Sequence, residues 1–145
     1  MKLSSKITSI DHPAYTFLRL VEQYQANDRL IIAYDFDDTV SPCHSSGCWR
    51  AQSVIRAAKE HLNAYLIVYT SNPNTERIKE FLDKENIPYD VINENAPFVN
   101  CNNGCKIFYN LLLDDKAGLH QAIGDLEALI DGVINKTITK EKTNV

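Results

Sequence analysis

The sequence predicts an α/β fold, a doubly wound and mostly parallel sheet with helices on both faces. Two apolar runs, 30–36 (LIIAYDF) and 64–69 (AYLIVY), have the continuous hydrophobicity of strands that are buried on both sides. Segments whose apolar residues recur at helical spacing alternate with these runs along the chain. Strands that alternate with helices in this way are typical of a parallel sheet covered by helices.

The first half of the chain predicts a helix, a strand, a loop and a second helix. Residues 13–26 carry apolar residues near positions i, i+3, i+4 and i+7, and Asp11 precedes Pro13 as a helix cap. The first apolar run forms the first strand and ends in acidic residues. The turn-rich stretch 41–49 (SPCHSSGCW) predicts a loop or short hairpin, and the composition of 50–62 is helical.

The second half of the chain continues this alternation. Asn72 or Asn74 is the predicted cap of a helix that ends near Asn86, and a loop rich in Asn and Pro occupies 93–105. Short apolar runs predict the remaining strands, and helical spacing predicts one more helix. In chain order, these segments are a strand at 64–69, a strand at 89–92, a strand at 109–113 and a helix at 116–130. Residues 133–145 are predicted to form a flexible tail.

The composition indicates a single globular domain over residues 1–145, with its core at about 30–131. The chain has 145 residues, of which 44% are hydrophobic and 23% charged, and its net charge is −4. These proportions are ordinary for a globular domain, and the negative charge argues against bulk nucleic-acid binding. No apolar run reaches the ~18 residues of a membrane span. The first residues lack the apolar block of a secretory signal, so we expect a cytoplasmic protein with no membrane partner.

Polar side chains follow the predicted strands at their carboxyl ends, where parallel sheets bind ligands. Residues 35–39 (DFDDT) follow the first strand, 70–71 (TS) the second and 114–115 (DD) the fourth, while Lys106 shortly precedes the fourth. Clustered carboxylates repel one another unless a cation shares their site. An oxygen-rich site of this kind suits Mg²⁺, which takes one or two carboxylates together with a substrate phosphate.

Four motifs in this order resemble those of the haloacid dehalogenase-like (HAD) superfamily, most of whose members are phosphatases. Residues 35–39 are similar to its DxDx[TV] motif, and Thr70 is similar to its second motif. Lys106 resembles the third motif, and 114–115 resembles the fourth in its double-aspartate form. Each motif is weak alone, but four in order at predicted strand ends are specific. The resemblance spans about residues 30–130 and implies a Rossmann-like HAD core.

The resemblance implies a Mg²⁺-dependent phosphomonoesterase that works through an aspartyl-phosphate. Asp35 is then the nucleophile, and Asp37 is the general acid that serves the leaving group and the base that activates water. The implied metal ligands are Asp35, Asp37 (through its backbone carbonyl), Asp115 and, directly or through water, Asp114. Read without the family, Asp35 is a cap at a strand-to-loop turn, and Asp38 fits a turn or cap better than a catalytic role.

The resemblance also assigns the groups that bind the substrate phosphate. Thr70 donates a hydrogen bond to a phosphate oxygen, and Ser71 is the neighbouring candidate, because only one of the two hydroxyls needs to contact phosphate. Lys106 balances the charge of the nucleophile and of the phosphoryl group as a compact point charge. Lys79 and Lys116 are also available for that role.

The spacing of the motifs leaves no room for a cap domain. Neither the interval 39–70 nor the interval 70–106 holds an extra domain of about 50 residues or more. The chain therefore resembles a small, capless or minimally capped member of the superfamily. An open site admits a phosphorylated small molecule or an exposed phosphate on a macromolecule, and loops 41–49 and 93–105 are expected to form its rim.

Other functions stay open at this stage. A HAD-fold phosphotransferase shares the first chemical step with a phosphatase, and a non-catalytic, metal-binding regulatory domain would keep the fold without turnover. A two-component receiver domain fits less well, because receivers carry their phospho-acceptor after the third strand, whereas here an acidic pair follows the last one.

Four cysteines raise the question of a second metal. Cys43 and Cys48 lie in one predicted loop, and Cys101 and Cys105 lie in another. A reducing compartment makes disulfides rare, and these spacings are loose for structural zinc. We expect free thiols, and a zinc site that joins the two loops, with His44 as a further ligand, is the alternative.

Overall fold

The computed structural model describes residues 9–100 and 106–141 of the chain. Within these residues, helices and strands alternate as the sequence predicts. In chain order the elements are α1 (Tyr15–Ala26), β1 (Ile31–Tyr34), α2 (Trp49–Leu62), β2 (Tyr65–Val68), α3 (Thr75–Lys84), β3 (Val91–Ile92), β4 (Leu111–Leu113) and α4 (Leu119–Ile134). Among these described elements, no helix is both long enough and apolar enough to cross a membrane.

The four strands form one parallel sheet in the order β3-β2-β1-β4. Tyr34, the last residue of β1, is paired with Val68 at the end of β2 and with Leu113 at the end of β4. Three strands therefore end at the same level of the sheet. The polar residues that follow them leave from one edge, and the predicted α/β class with a parallel sheet is confirmed.

The two faces of the sheet pack against different partners. Alternate strand residues such as Ile32 and Leu66 belong to a core cluster that contains buried apolar residues from all four helices. The intervening residues, such as Ala33 and Ile67, belong to a second cluster with Ala96, Val99, Ile107 and Tyr109 from the connection between β3 and β4. In its described part this connection crosses the second face without a helix. The prediction of helices on both faces is therefore not confirmed.

The element boundaries differ from the predicted ones by a few residues. α1 begins after Ala14, and no described side chain caps it, so the predicted cap at Asp11 is wrong. Of the two asparagines predicted to cap α3, it is Asn74 whose side chain accepts a hydrogen bond from the Arg77 backbone N–H at 3.2 Å. The last helix begins after Gly118, which adopts a left-handed backbone with φ 70°.

The end of the described chain packs against the domain instead of fraying. α4 extends to Ile134, four residues beyond its predicted end, and Ile138 is buried in the main core cluster. The Lys140 ammonium lies 4.3 Å from the centre of the Tyr24 ring and donates to the backbone carbonyl of Asp28. Within the predicted flexible tail, Ile138 and Lys140 thus contact the domain, and residues 142–145 lie outside the described part.

Candidate metal and phosphate site

Three carboxylates meet at the shared edge of β1 and β4. Asp35 directly follows β1, and Asp114 and Asp115 directly follow β4. One oxygen from each lies within 4.8 Å of an oxygen from both others. The structure thus brings together three of the four predicted metal ligands, although the sequence separates them by about eighty residues. We call these three residues the acidic triad.

The acidic triad is electrostatically strained when no cation neutralises it. The pKa of Asp35 is raised to about 6, chiefly by partial burial; the nearby charges of Asp114 and Asp115 act in the same direction, and the Phe36 backbone N–H acts against them. That N–H donates to the Asp35 carboxylate at 2.8 Å. Like charges that cannot all ionise freely either retain a proton or gather a cation, so the triad has the electrostatics of a cation site.

A buried threonine ties the two acidic loops together. The side chain of Thr39 is 1% exposed, and its hydroxyl oxygen accepts a hydrogen bond from the Asp115 backbone N–H at 3.2 Å. This contact fixes the loop after β4 against the loop after β1. The sequence reasoning assigned no role to Thr39. Its position as the last residue of the DFDDT motif is the sequence feature that could have pointed to a role for Thr39.

The Asp37 carboxylate lies outside the acidic triad. It accepts a hydrogen bond from the Asn72 side-chain amide at 3.1 Å, across the edge of the sheet from β1 to the residues after β2. Among the described residues, the carboxylates that meet within 4.8 Å at this edge do not include Asp37. The side chain is therefore oriented by Asn72. Sequence reasoning treated Asn72 only as a candidate helix cap and missed this contact.

The residues after β2 present a hydroxyl at the same edge. The Thr70 hydroxyl oxygen accepts from the Asn72 backbone N–H at 3.1 Å, which leaves its proton free to be donated. Asn93, after β3, accepts from the Thr70 N–H at 2.9 Å and donates to the Thr70 carbonyl at 2.8 Å. Thr70 is half-buried and held on both sides, whereas Ser71 is exposed. Thr70 is thus the better ordered of the two candidate hydroxyls.

The structure does not bring the predicted lysine into contact with the acidic triad. Lys106 is exposed, and within the described residues it forms no ion pair with a carboxylate. Of the two alternatives, Lys79 pairs with Glu76 at 3.6 Å on α3, and Lys116 approaches the triad through its backbone N–H, which donates to Asp114 at 2.9 Å. Within the described residues, no contact thus supports the assignment of Lys106 to the third motif.

Asp38 organises the loop that follows the first motif. Its backbone is left-handed, with φ 58°, and one of its carboxylate oxygens accepts from the backbone N–H groups of Cys43, His44 and Ser45 at 2.6 to 3.1 Å. The His44 ring lies 2.6 Å from the other oxygen. These hydrogen bonds hold the pKa of Asp38 well below its usual range. Asp38 is therefore a turn residue, as the sequence reasoning favoured.

Two of the four cysteines, Cys43 and Cys48, lie within the described residues. Cys43 is an exposed free thiol and Cys48 a buried one. Cys43, Asp38 and His44 offer ligand atoms within 4.8 Å of one another, but Asp38 and His44 already bond to each other there. Cys101 and Cys105 lie outside the described residues, so the zinc site that would join the two loops stays an untested alternative.

An open cavity adjoins the acidic triad. It has a volume of about 610 Å³ and lies between the loop that leads into α2 and the start of α4. Its lining includes Thr39 and the triad residue Asp115, and Trp49 and Leu119 contribute apolar surface. The cavity is open space beside Asp115, one member of the acidic triad.

Comparisons with known proteins assign no family. The chain matches no protein-family model, no curated protein and no solved structure. The HAD resemblance therefore stays a prediction from the four motifs, and the site is described from its own geometry.

Proposed function

We propose that the protein is a Mg²⁺-dependent phosphomonoesterase of the HAD type that works through an aspartyl-phosphate on Asp35. The observation that carries the proposal is the acidic triad, in which Asp35, Asp114 and Asp115 converge within 4.8 Å at the carboxyl edge of a parallel sheet. Ligands of α/β sheets bind at this edge. The order of the four sequence motifs adds independent support.

The residues present fit Mg²⁺. The triad offers only carboxylate oxygens, the ligands that this ion prefers, and holds no thiol or imidazole that would favour zinc. Burial first, and the neighbouring carboxylates second, raise the pKa of Asp35 and so disfavour its ionised form, and a divalent cation would offset both effects. When bound, Mg²⁺ would neutralise and orient the phosphate of the substrate. Asp114 and Asp115 would hold it together with one oxygen of Asp35.

The chain's own residues then carry the two chemical steps. The Asp35 carboxylate attacks phosphorus in line and forms a new O–P bond, while the bond to the leaving oxygen breaks. Asp37 gives its proton to that oxygen and afterwards takes a proton from the water that attacks the aspartyl-phosphate. This second attack releases phosphate and restores Asp35. Asn72 keeps the Asp37 carboxylate at the sheet edge through its 3.1 Å hydrogen bond.

Thr70 orients the phosphate during both steps. Its hydroxyl proton is free because the oxygen accepts from Asn72, and a hydrogen bond to a phosphate oxygen stabilises the charge that develops during transfer. The proposed role of Lys106 rests on its motif position alone.

Release of phosphate from p-nitrophenyl phosphate tests this function. We expect the purified protein to hydrolyse this ester with Mg²⁺ and to stop when the ion is removed by a chelator. Asp35→Asn should lower kcat by at least about a thousandfold, since an amide is not a nucleophile for phosphorus.

The matched control for this experiment is Asp83→Asn. Asp83 is an exposed residue of α3 near the end of that helix, which returns toward the opposite edge of the sheet. This variant should keep wild-type kcat. Unchanged turnover in Asp35→Asn, with both variants folded by circular dichroism, would refute the nucleophile.

A further inference from the structure

The cavity beside the acidic triad has the size of a site for a small organic molecule. Its volume of about 610 Å³ lies within the roughly 300–1,000 Å³ of typical small-molecule sites. Because the triad residue Asp115 lines this cavity, it is the space beside a phosphate bound at the triad that a leaving group could occupy. The residues that line the cavity therefore indicate which leaving group would fit.

One side chain that lines the cavity is an exposed tryptophan. Trp49, at the start of α2, lines the cavity, and its side chain is 73% exposed. The apolar residues Ala51, Leu119 and Ile123 line the cavity as well. Burial of an exposed indole is favourable, and stacking against a flat ring adds to that gain. The indole together with these apolar side chains therefore favours a leaving group with an aromatic ring over a sugar alone.

The charges of the cavity disfavour a second phosphate. Arg50 is the one lysine or arginine among its described lining residues. Both carboxylate oxygens of Glu127 accept from the Arg50 guanidinium, at 2.7 and 3.2 Å, and a further N–H of that group donates to the His120 ring at 3.1 Å. Arg50 is therefore neutralised by its partner. A leaving group that carries its own negative charge would also face Asp38 and Asp115.

We propose that the leaving group is a nucleoside, so that the preferred substrates are nucleoside monophosphates whose base stacks on Trp49. This inference rests on the proposed phosphomonoesterase function. A nucleoside fits two features of the cavity lining: its sugar hydroxyls can meet the exposed carboxylate of Asp115, and its uncharged flat base can meet the indole of Trp49. Stacking of a base on an aromatic side chain is tolerant of base identity, so both purines and pyrimidines should be accepted.

A matched pair of substrates tests this proposal. Adenosine 5′-monophosphate and ribose 5-phosphate share the phosphate and the sugar, and they differ by the base. We expect a kcat/KM for the nucleotide that is about tenfold higher or more, and we expect Trp49→Ala to remove that preference while ribose 5-phosphate is hydrolysed as before. Trp49→Phe should keep most of the preference, because a phenyl ring also stacks.

The control variant is Phe98→Ala. Phe98 is an aromatic side chain, 52% exposed, beside a different cavity at the amino-terminal edge of the sheet. Its loss should leave the ratio of the two kcat/KM values unchanged. Equal kcat/KM for the two esters in the wild-type protein, or an equal loss for both in Trp49→Ala, would overturn the proposed leaving group while the phosphomonoesterase function would stand.

Binding without turnover separates the two proposals further. The chain contains a single tryptophan, so its fluorescence reports directly on Trp49. With Asp35→Asn and Mg²⁺, adenosine 5′-monophosphate should quench this fluorescence and ribose 5-phosphate should not. Absence of quenching, or equal quenching by both, contradicts the base-stacking site. If no ester is hydrolysed by the wild type, the proposed function fails, and this measurement still decides whether the cavity binds nucleosides.

Discussion

The Thr39 hydroxyl oxygen accepts a hydrogen bond from the backbone N–H of Asp115 at 3.2 Å. The two residues lie 76 positions apart in the chain, and the bond joins the loops that follow β1 and β4. Beside the pairing of β1 with β4, one buried side chain thereby holds the Asp115 loop against the loop that carries the proposed nucleophile.

Replacement of Thr39 by valine should weaken Mg²⁺ binding at the triad without creating a cavity in the core. Valine keeps the branched shape but removes the acceptor, so the Asp115 loop loses its anchor. We expect about tenfold more Mg²⁺ to be required for half-maximal phosphate release, as is common when a residue that orients a ligand is lost. Asp115→Ala should raise the requirement further.

Thr39→Ser is the matched control, because it restores the hydroxyl. Magnesium titrations of the three variants and the wild type measure the effect. A titration curve of Thr39→Val that superimposes on the wild-type curve would show that this contact does not position Asp115.

The stability of the metal-free protein should fall as the pH rises through the titration range of Asp35. The pKa of this carboxyl is raised from 3.8 to about 6. Between these values the folded state binds more protons than the unfolded state, so the free energy of unfolding declines with rising pH. Well above pH 6 Asp35 is ionised in both states, and the loss of folding stability caused by its raised pKa is complete. Solvent screening of this partly exposed group limits it to about 1 kcal/mol.

Urea unfolding of wild type and Asp35→Asn in a chelator, from pH 4 to pH 8, tests this expectation. The variant should be more stable than the wild type at pH 8, and the difference should shrink toward pH 4. Added Mg²⁺ should reverse the order at neutral pH, because the ion stabilises only the intact triad. A difference that does not change with pH would contradict the raised pKa.

Removal of the Asp38 side chain should release the loop that borders the cavity. Asp38→Ala frees three backbone N–H groups of residues 43–45, so local opening becomes easier. Limited proteolysis should cut within 41–47 at least about tenfold faster. Asp38→Asn is the control, because asparagine keeps an acceptor oxygen and tolerates the left-handed backbone of this position. Equal cleavage of Asp38→Ala and wild type would show that other contacts hold the loop.

The sequence predicts those parts of the fold that local patterns determine. Apolar runs identify the strands, and parallel pairing alone brings Asp35 to the edge where Asp114 and Asp115 lie. The sequence also predicts the loop between β3 and β4, but the face on which each helix packs depends on the crossovers, which periodicity does not determine. The prediction of helices on both faces is therefore not confirmed for the described residues.

Side-chain contacts across loops were beyond prediction as well. The hydrogen bonds of Asn72 to Asp37 and of Asn93 to Thr70 join residues from different loops, and asparagine in a loop is usually a turn former. The packing of Ile138 was missed because the residues around it are polar and short of apolar periodicity. All three contacts depend on how distant segments of the chain pack together, which local sequence patterns do not determine.

The common level at which β1, β2 and β4 end has a consequence for how this chain tolerates change. Side chains alternate between the two faces, so β4 can only slip along β1 by two residues at a time, which displaces it by roughly 6.6 Å. Such a shift would carry Asp114 and Asp115 beyond reach of Asp35. Insertions or deletions inside 111–113 should thus abolish the site, whereas changes of length in the connection before Lys106 leave the alignment of the strands untouched.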